Sequence, residues 1–277
     1  MKKFIGLGLI VIGCGFLSLT ISSLFSSGKT LNEGNRYSEN VDSFQTIDLT
    51  STSLDWDIQR YSGDEIIVEL SNDDKQVNIH SRQQGDTLKL EIKEEGFKLF
   101  SFNFQGRNKV HVQLPIRYEN ALKVQTVSGD VHINDDLNLS SWRVKTVSGD
   151  VLTRDLSATK TDINTTSGNI HIQHIDGETV KLNNVSGDSL IEKLTGELDV
   201  NAVSGDIRVG LKGKYRTSVK TVSGDVNIEL YKENTNLTMK TVSGKIFVDP
   251  GFTGKIGDSA AEVTVSTTSG DIRVTER

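Results

Sequence analysis

A Ser-Gly pair recurs eight times over residues 119–277, and its spacing constrains the fold more than any other feature. The glycines are Gly129, Gly149, Gly168, Gly187, Gly205, Gly224, Gly244 and Gly270. Successive glycines lie 20, 19, 19, 18, 19, 20 and 26 residues apart. A fixed period of this size marks stacked supersecondary units, each too short to bury its own apolar face. The last, longer gap contains Asp249-Pro250-Gly251, which reads as a turn insertion.

The residues around each pair alternate. Before Ser stands Val127, Val147, Thr166, Val185, Val203, Val222, Val242 or Thr268. Two residues past Gly come Val131, Val151, Ile170, Ser189, Ile207, Val226, Ile246 and Ile272. Two further on are Ile133, Thr153, Ile172, Ile191, Val209, Ile228, Val248 and Val274. Period-two alternation rich in β-branched residues is the mark of half-buried strands. The expected fold is all-β: a parallel β-solenoid of about eight rungs of 18–20 residues over 119–277. Units this short leave no room for a helix, and a propeller blade needs about twice the length. The Gly is expected at a corner that demands positive φ or close approach of a neighbouring rung. The flanking Ser and Asp, as in Ser128-Gly129-Asp130, Ser148-Gly149-Asp150 and Ser223-Gly224-Asp225, are expected to bond nearby backbone groups there.

Residues 44–118 also alternate, in Ile66–Leu70, Val77–Ile79, Leu88–Ile92 and Val110–Leu114. Five or six strands, antiparallel in part, are expected here as an N-terminal β cap, because an uncovered end exposes unpaired strand groups. Tyr61-Ser62-Gly63-Asp64 resembles a degenerate ninth repeat. Phe97, Phe100, Phe102 and Phe104 are expected in the core of the cap, with an exposed partner patch as the alternative.

The N-terminus is of another kind. Met1-Lys2-Lys3 is basic, and the 22 residues from Phe4 to Phe25 carry no charge. As a helix they reach about 33 Å, the thickness of a bilayer core. Residues 1–26 are therefore expected to form a signal anchor spanning the membrane from Phe4 to Phe25, with 27–43 as a linker. The lysines favour a cytoplasmic N-terminus, which places the rest outside the cell membrane. A cleaved secretory peptide is a second reading, and lipidation at Cys14, within Val11-Ile12-Gly13-Cys14, a third.

Chemistry is sparse. Cys14 is the one cysteine, so the repeats hold neither disulfides nor thiolate metal sites. The net charge of −6 does not suggest a nucleic-acid partner. The column Asp130, Asp150, Asp188, Asp206, Asp225 and Asp271 could hold calcium or supply a glycosidase pair. It is interrupted by Asn169 and Lys245, and a turn role explains Asp after Gly without a ligand. His132 and His171 share an outward position two rungs, about 10 Å, apart, too far to share a metal. No catalytic, cofactor or metal residues are expected.

The repeated Thr-Val-Ser-Gly-Asp-Val-x-Ile unit, at Thr126–Ile133 and Thr221–Ile228, together with the anchor, linker and cap, resembles the bacterial "putative adhesin" β-strand-repeat family. Within it the chain is most similar to the LiaG-type membrane-anchored proteins of Gram-positive envelope-stress operons. The resemblance implies a non-catalytic envelope protein that binds a cell-envelope polymer or a membrane protein. A polysaccharide-active β-helix enzyme and a self-assembling scaffold are the alternatives. Arg273–Arg277 ends the chain in charges, which would guard the terminal edge against assembly.

Overall fold

The computed structural model describes residues 35–71, 77–94, 109–231, 235–249 and 261–277. The anchor from Phe4 to Phe25, Cys14 and the Phe97–Phe104 cluster lie outside the described residues. Among those described there are strands and no helix, hence none long and apolar enough to cross a membrane.

The N-terminal strands are β1 (Arg36–Asn40), β2 (Thr46–Thr50), β3 (Asp55–Tyr61), β4 (Glu65–Leu70), β5 (Val77–Gln84), β6 (Thr87–Glu94) and β7 (Lys109–Pro115). The repeats form β8 (Ala121–Gln125), β9 (Val131–Ile133), β10 (Leu137–Lys145), β11 (Val151–Thr165), β12 (Ile170–Ser186), β13 (Ser189–Ser204), β14 (Ile207–Leu211), β15 (Thr217–Lys220), β16 (Val226–Leu230), β17 (Thr235–Ser243), β18 (Ile246–Val248), β19 (Ala261–Ser269) and β20 (Ile272–Glu276).

From β8 onward every pairing is parallel, and the partner lies one repeat away for most of the chain. Val131 pairs with Val151, Val151 with Ile170, Ile170 with Ser189 and Ser189 with Ile207. The chain thus winds in turns, and each turn uses the next to satisfy its backbone groups. Inside runs one continuous core. Trp56, Trp142, Val144, Ile163, Ile172, Val180, Ile191, Val219, Val265 and Val274 are all buried in it.

The segment expected to be a cap supplies the first rung itself. β2 and β3 stack in parallel on β8 and β9, with Leu49 opposite Val124 and Trp56 opposite Val131. Covering their other side are β6, parallel to β2, and β7, parallel to β3. The antiparallel pairings β5–β6, β4–β7 and β1–β4 then close that end. Ser62-Gly63-Asp64 is not a degenerate repeat; it links β3 to β4, which lies antiparallel to β7. The extra rung is Leu49–Ile58, where Ser51, Leu54 and Asp55 stand in for the Thr, Gly and Asp of the motif.

The order of rungs departs from the order of the chain at the far end. β15 and β16 pair not with β17 and β18 but with β19 and β20. β17 and β18 then stack on the outer side of β19 and β20. The last turn of the chain is therefore inserted between two earlier ones. Two consequences correct the sequence reading. Arg273 and Val274 guard no edge, because β20 is paired on both sides over Ile272–Val274. Among the described residues β17 and β18 are paired on one side only, and there Ile246 and Val248 are 44% and 38% exposed, while their neighbours Ile272 and Val274 are buried.

Tyr37 and Tyr118 pack into the capped end. Burial, followed by the nearby Glu39 carboxylate, pushes the Tyr37 phenol up from 10.0 to about 12. Burial raises Tyr118 as well, and its hydroxyl donates to the Ala121 carbonyl at 2.7 Å. A raised phenol pKa means the folded chain keeps protons that the unfolded chain sheds above pH 10. Stability is then intact below pH 10 and declines as pH rises toward 12. Melting temperatures between pH 9 and 11 are expected to fall, and Tyr37→Phe is expected to lessen the fall. Equal slopes for the two proteins would contradict this assignment.

Candidate functional site

Every motif residue at the corner is occupied in joining one rung to the next. The glycines stand in register as Gly129, Gly149, Gly168, Gly187, Gly205, Gly224, Gly270 and Gly244. A Cβ on any of them would overlap the carbonyl oxygen of the glycine below, or that of Leu54 at the first step. Two corner geometries occur. At Gly129, Gly149 and Gly168 the amide donates to the hydroxyl of the Thr three residues earlier, at 2.8–3.0 Å. From Gly187 onward φ is positive, and the amides of Gly187, Gly205, Gly224 and Gly270 donate instead to a Ser carbonyl of the next rung.

The acidic column is a hydrogen-bond ladder. The backbone N–H of Asp130 donates to Oδ1 of Asp55, and Asp150 donates to Asp130. Asn169, Asp188, Asp206, Asp225, Asp271 and Lys245 continue it, each donating its N–H to the side-chain Oδ1 below. All eight bonds are 2.7–2.9 Å long. The two apparent interruptions are therefore consistent with the ladder. Asn169 offers the same oxygen as Asp, and Lys245 occupies the last rung among the described residues, where none of their N–H groups needs a further acceptor.

The ladder carries an expected result. Asp188→Ala removes the acceptor of the Asp206 amide and costs about 1–3 kcal/mol, whereas Asp188→Asn keeps the oxygen and stays within about 1 kcal/mol. Chemical denaturation of the two variants measures the difference. Similar losses for both would mean that charge, not the acceptor, is what the site uses.

The residue before Ser points outward, which corrects its placement among buried positions. Val127, Val222 and Val242 are exposed, and Thr126, Thr146 and Thr165 beside the same corners are buried. The corner reverses the parity of the strand: inward side chains are even-numbered up to Thr126 and odd-numbered from Gly129.

Outward columns differ from rung to rung. One runs Lys89, Asp48, Lys123, Arg143, Asp162, Lys181, Asp199, a mixed-sign series. In it Arg143 Nε lies 3.6 Å from Asp162 Oδ2. Another runs Asp57, His132, Leu152, His171, Leu190, Arg208, Asn227, Arg273, Phe247. His132 and His171 thus flank Leu152 on a single face. His171 pairs with Glu192 at 2.8 Å, and His174 with Asp155 at 2.7 Å, both in the open. Among the described residues no three His, Cys, Asp or Glu converge as metal ligands.

A family model described as Toastrack DUF4097 matches residues 44–275. No curated protein matches the chain. Among solved structures, a "putative adhesin" from Parabacteroides distasonis is 18% identical with a TM-score of 0.58, the match covering 87% of this chain and 97% of that one. Another of that name, from Bacteroides fragilis, is 14% identical with a TM-score of 0.54, covering 89% and 98%. A "putative lipid binding protein" from Parabacteroides distasonis is 14% identical with a TM-score of 0.52, covering 90% and 98%. At these identities the likeness is one of fold.

Proposed function

Since the chain belongs to the Toastrack DUF4097 family, we propose that it is a membrane-anchored, extracytoplasmic binding protein without catalytic activity. The stack is read as a parallel β-solenoid that presents its outward columns to a polymer of the cell envelope or to a membrane protein. The uncharged stretch from Phe4 to Phe25, behind Lys2 and Lys3, is the proposed anchor. A role in the envelope-stress response follows from the resemblance to LiaG-type proteins.

One observation carries the reading. The repeated Gly and Asp are spent on stacking rungs, so the recurring motif is no active site, and the positions free to bind are outward ones that vary. Extended repeat surfaces of this kind serve recognition. The names of the structural neighbours, adhesins and a lipid-binding protein, fall in the same class of activity. The full-length chain in mild detergent, incubated with isolated envelope polymers and crosslinked in membranes, is expected to retain at least one polymer or membrane protein. Retention of neither would remove the support for a binding role.

The open rung of β17 and β18 favours a second reading, association of two chains at that end. Sedimentation at rising protein concentration is expected to show a dimer under that reading, and a monomer throughout excludes it.

A further inference from the structure

One interruption of the regular winding lies between β14 and β15. β13 runs unbroken from Ser189 to Ser204, but the next turn is split into β14 and β15 by a loop, Lys212–Arg216. The loop is pinned to β13 at both ends: the Lys212 amide donates to the Leu194 carbonyl at 2.8 Å, and the Leu198 amide to the Arg216 carbonyl at 3.0 Å. Between these points Gly213 has φ +92°, and the Tyr215 ring lies against its Cα side. The loop is a short, shaped turn.

The loop is rich in cations. Lys212, Lys214 and Arg216 are exposed, with Tyr215 41% exposed among them. None of the three cations has an ion pair among the described residues, in a chain whose net charge is −6. Glu197, one rung below Arg216 in register, is not paired with it. On the mixed-sign column, by contrast, Arg143 has Asp162 as its partner. Three exposed cations and an exposed tyrosine thus share this short loop, with no ion pair among the described residues.

We propose that Lys212, Lys214 and Arg216 bind a phosphate-bearing polyanion of the cell envelope, a chain of polyol phosphates, with Tyr215 lying along its carbon skeleton. This rests on the binding role proposed above and gives it a site. Lys and Arg suit phosphate oxygens as point charge and fork. An aromatic ring beside them offers an apolar face to the links between phosphates. A bilayer surface fits less well. Stable seating on lipid takes a buried apolar anchor besides the charges, and this loop offers a single exposed ring.

The test uses the full-length chain in nonionic detergent and poly(glycerol phosphate) as probe, titrated calorimetrically at several salt concentrations. Wild type is expected to bind with a log–log salt slope of roughly −2 for three cations. K212Q/K214Q/R216Q is expected to bind at least tenfold more weakly, with the slope near zero. K93Q/K109Q, which removes exposed cations from the capped end outside the outward columns, is expected to bind as wild type does. Circular dichroism and melting temperature establish that both variants are folded.

Equal binding by the triple variant overturns the site while leaving the binding role standing. No binding by wild type overturns the polymer assignment, and the binding role is then decided by the other envelope fractions. Binding by wild type to phosphatidylglycerol vesicles but not to the polymer, lost in the triple variant, also overturns it and assigns the loop to a lipid surface.

Discussion

Gly224→Ala is expected to lower the melting temperature by about 10 °C. Gly224 has φ +136°, where L side chains are strained, and its Cβ would overlap the Gly205 carbonyl below it. The strain amounts to about 1–3 kcal/mol. Overpacking against backbone adds about 1–3 kcal/mol, because two paired rungs cannot part locally without losing ladder bonds. A loss of about 3–5 kcal/mol corresponds to roughly 10 °C for a chain of this size. Gly85→Ala is the internal control. Its φ is +62°, but nothing lies within 4 Å of the new Cβ, so about 1–2 kcal/mol is expected from conformation alone. If both variants melt together, close approach between rungs is not what the repeated glycine provides.

Ile272→Lys is expected to melt out the far end of the stack, while Ile246→Lys leaves stability within about 1 kcal/mol of wild type. The two isoleucines occupy the same motif position and pair with each other. Ile272 is fully buried between rungs, so a lysine there brings an unpaired charge into the core, at a cost of several kcal/mol. Ile246 is 44% exposed on the last rung, from which a lysine can reach water along its own stem. Rungs stacked in chain order would give the reverse result. Urea denaturation of the two variants therefore reads out the exchange of the last two turns directly.

That exchange also shows where sequence reasoning stops. The period, the strand character and the corner at each Ser-Gly pair were legible, because every repeat states them again. Which repeat lies beside which was not. Parallel stacking matches a rung with any other rung of the same pattern, and the pattern is nearly identical at Val226–Ile228 and Ile272–Val274. One signal was available: Lys245 breaks the aspartate column, and an absent acceptor marks the rung with nothing above it. The first rung was hidden for the opposite reason. Ser51–Asp55 keeps the donor and acceptor geometry of the corner while losing the Ser-Gly letters. The outward valines were misplaced because alternation was carried across a corner that reverses it. The basic loop at Lys212–Arg216 has no periodic signature at all, being defined by a departure from the period.

The aspartate ladder has a direction. The ladder runs one way, with a side-chain acceptor facing up and a backbone donor facing down, and Lys245, which has no side-chain acceptor, can only end it. Between Asp55 and Lys245 every rung makes this ladder bond alike, although the corner glycines use two different acceptors. The number of turns is then a free variable as far as this ladder is concerned: a duplication or excision of one complete period between turns of the same corner geometry leaves each ladder bond with a donor and an acceptor, while Lys245 still ends the series.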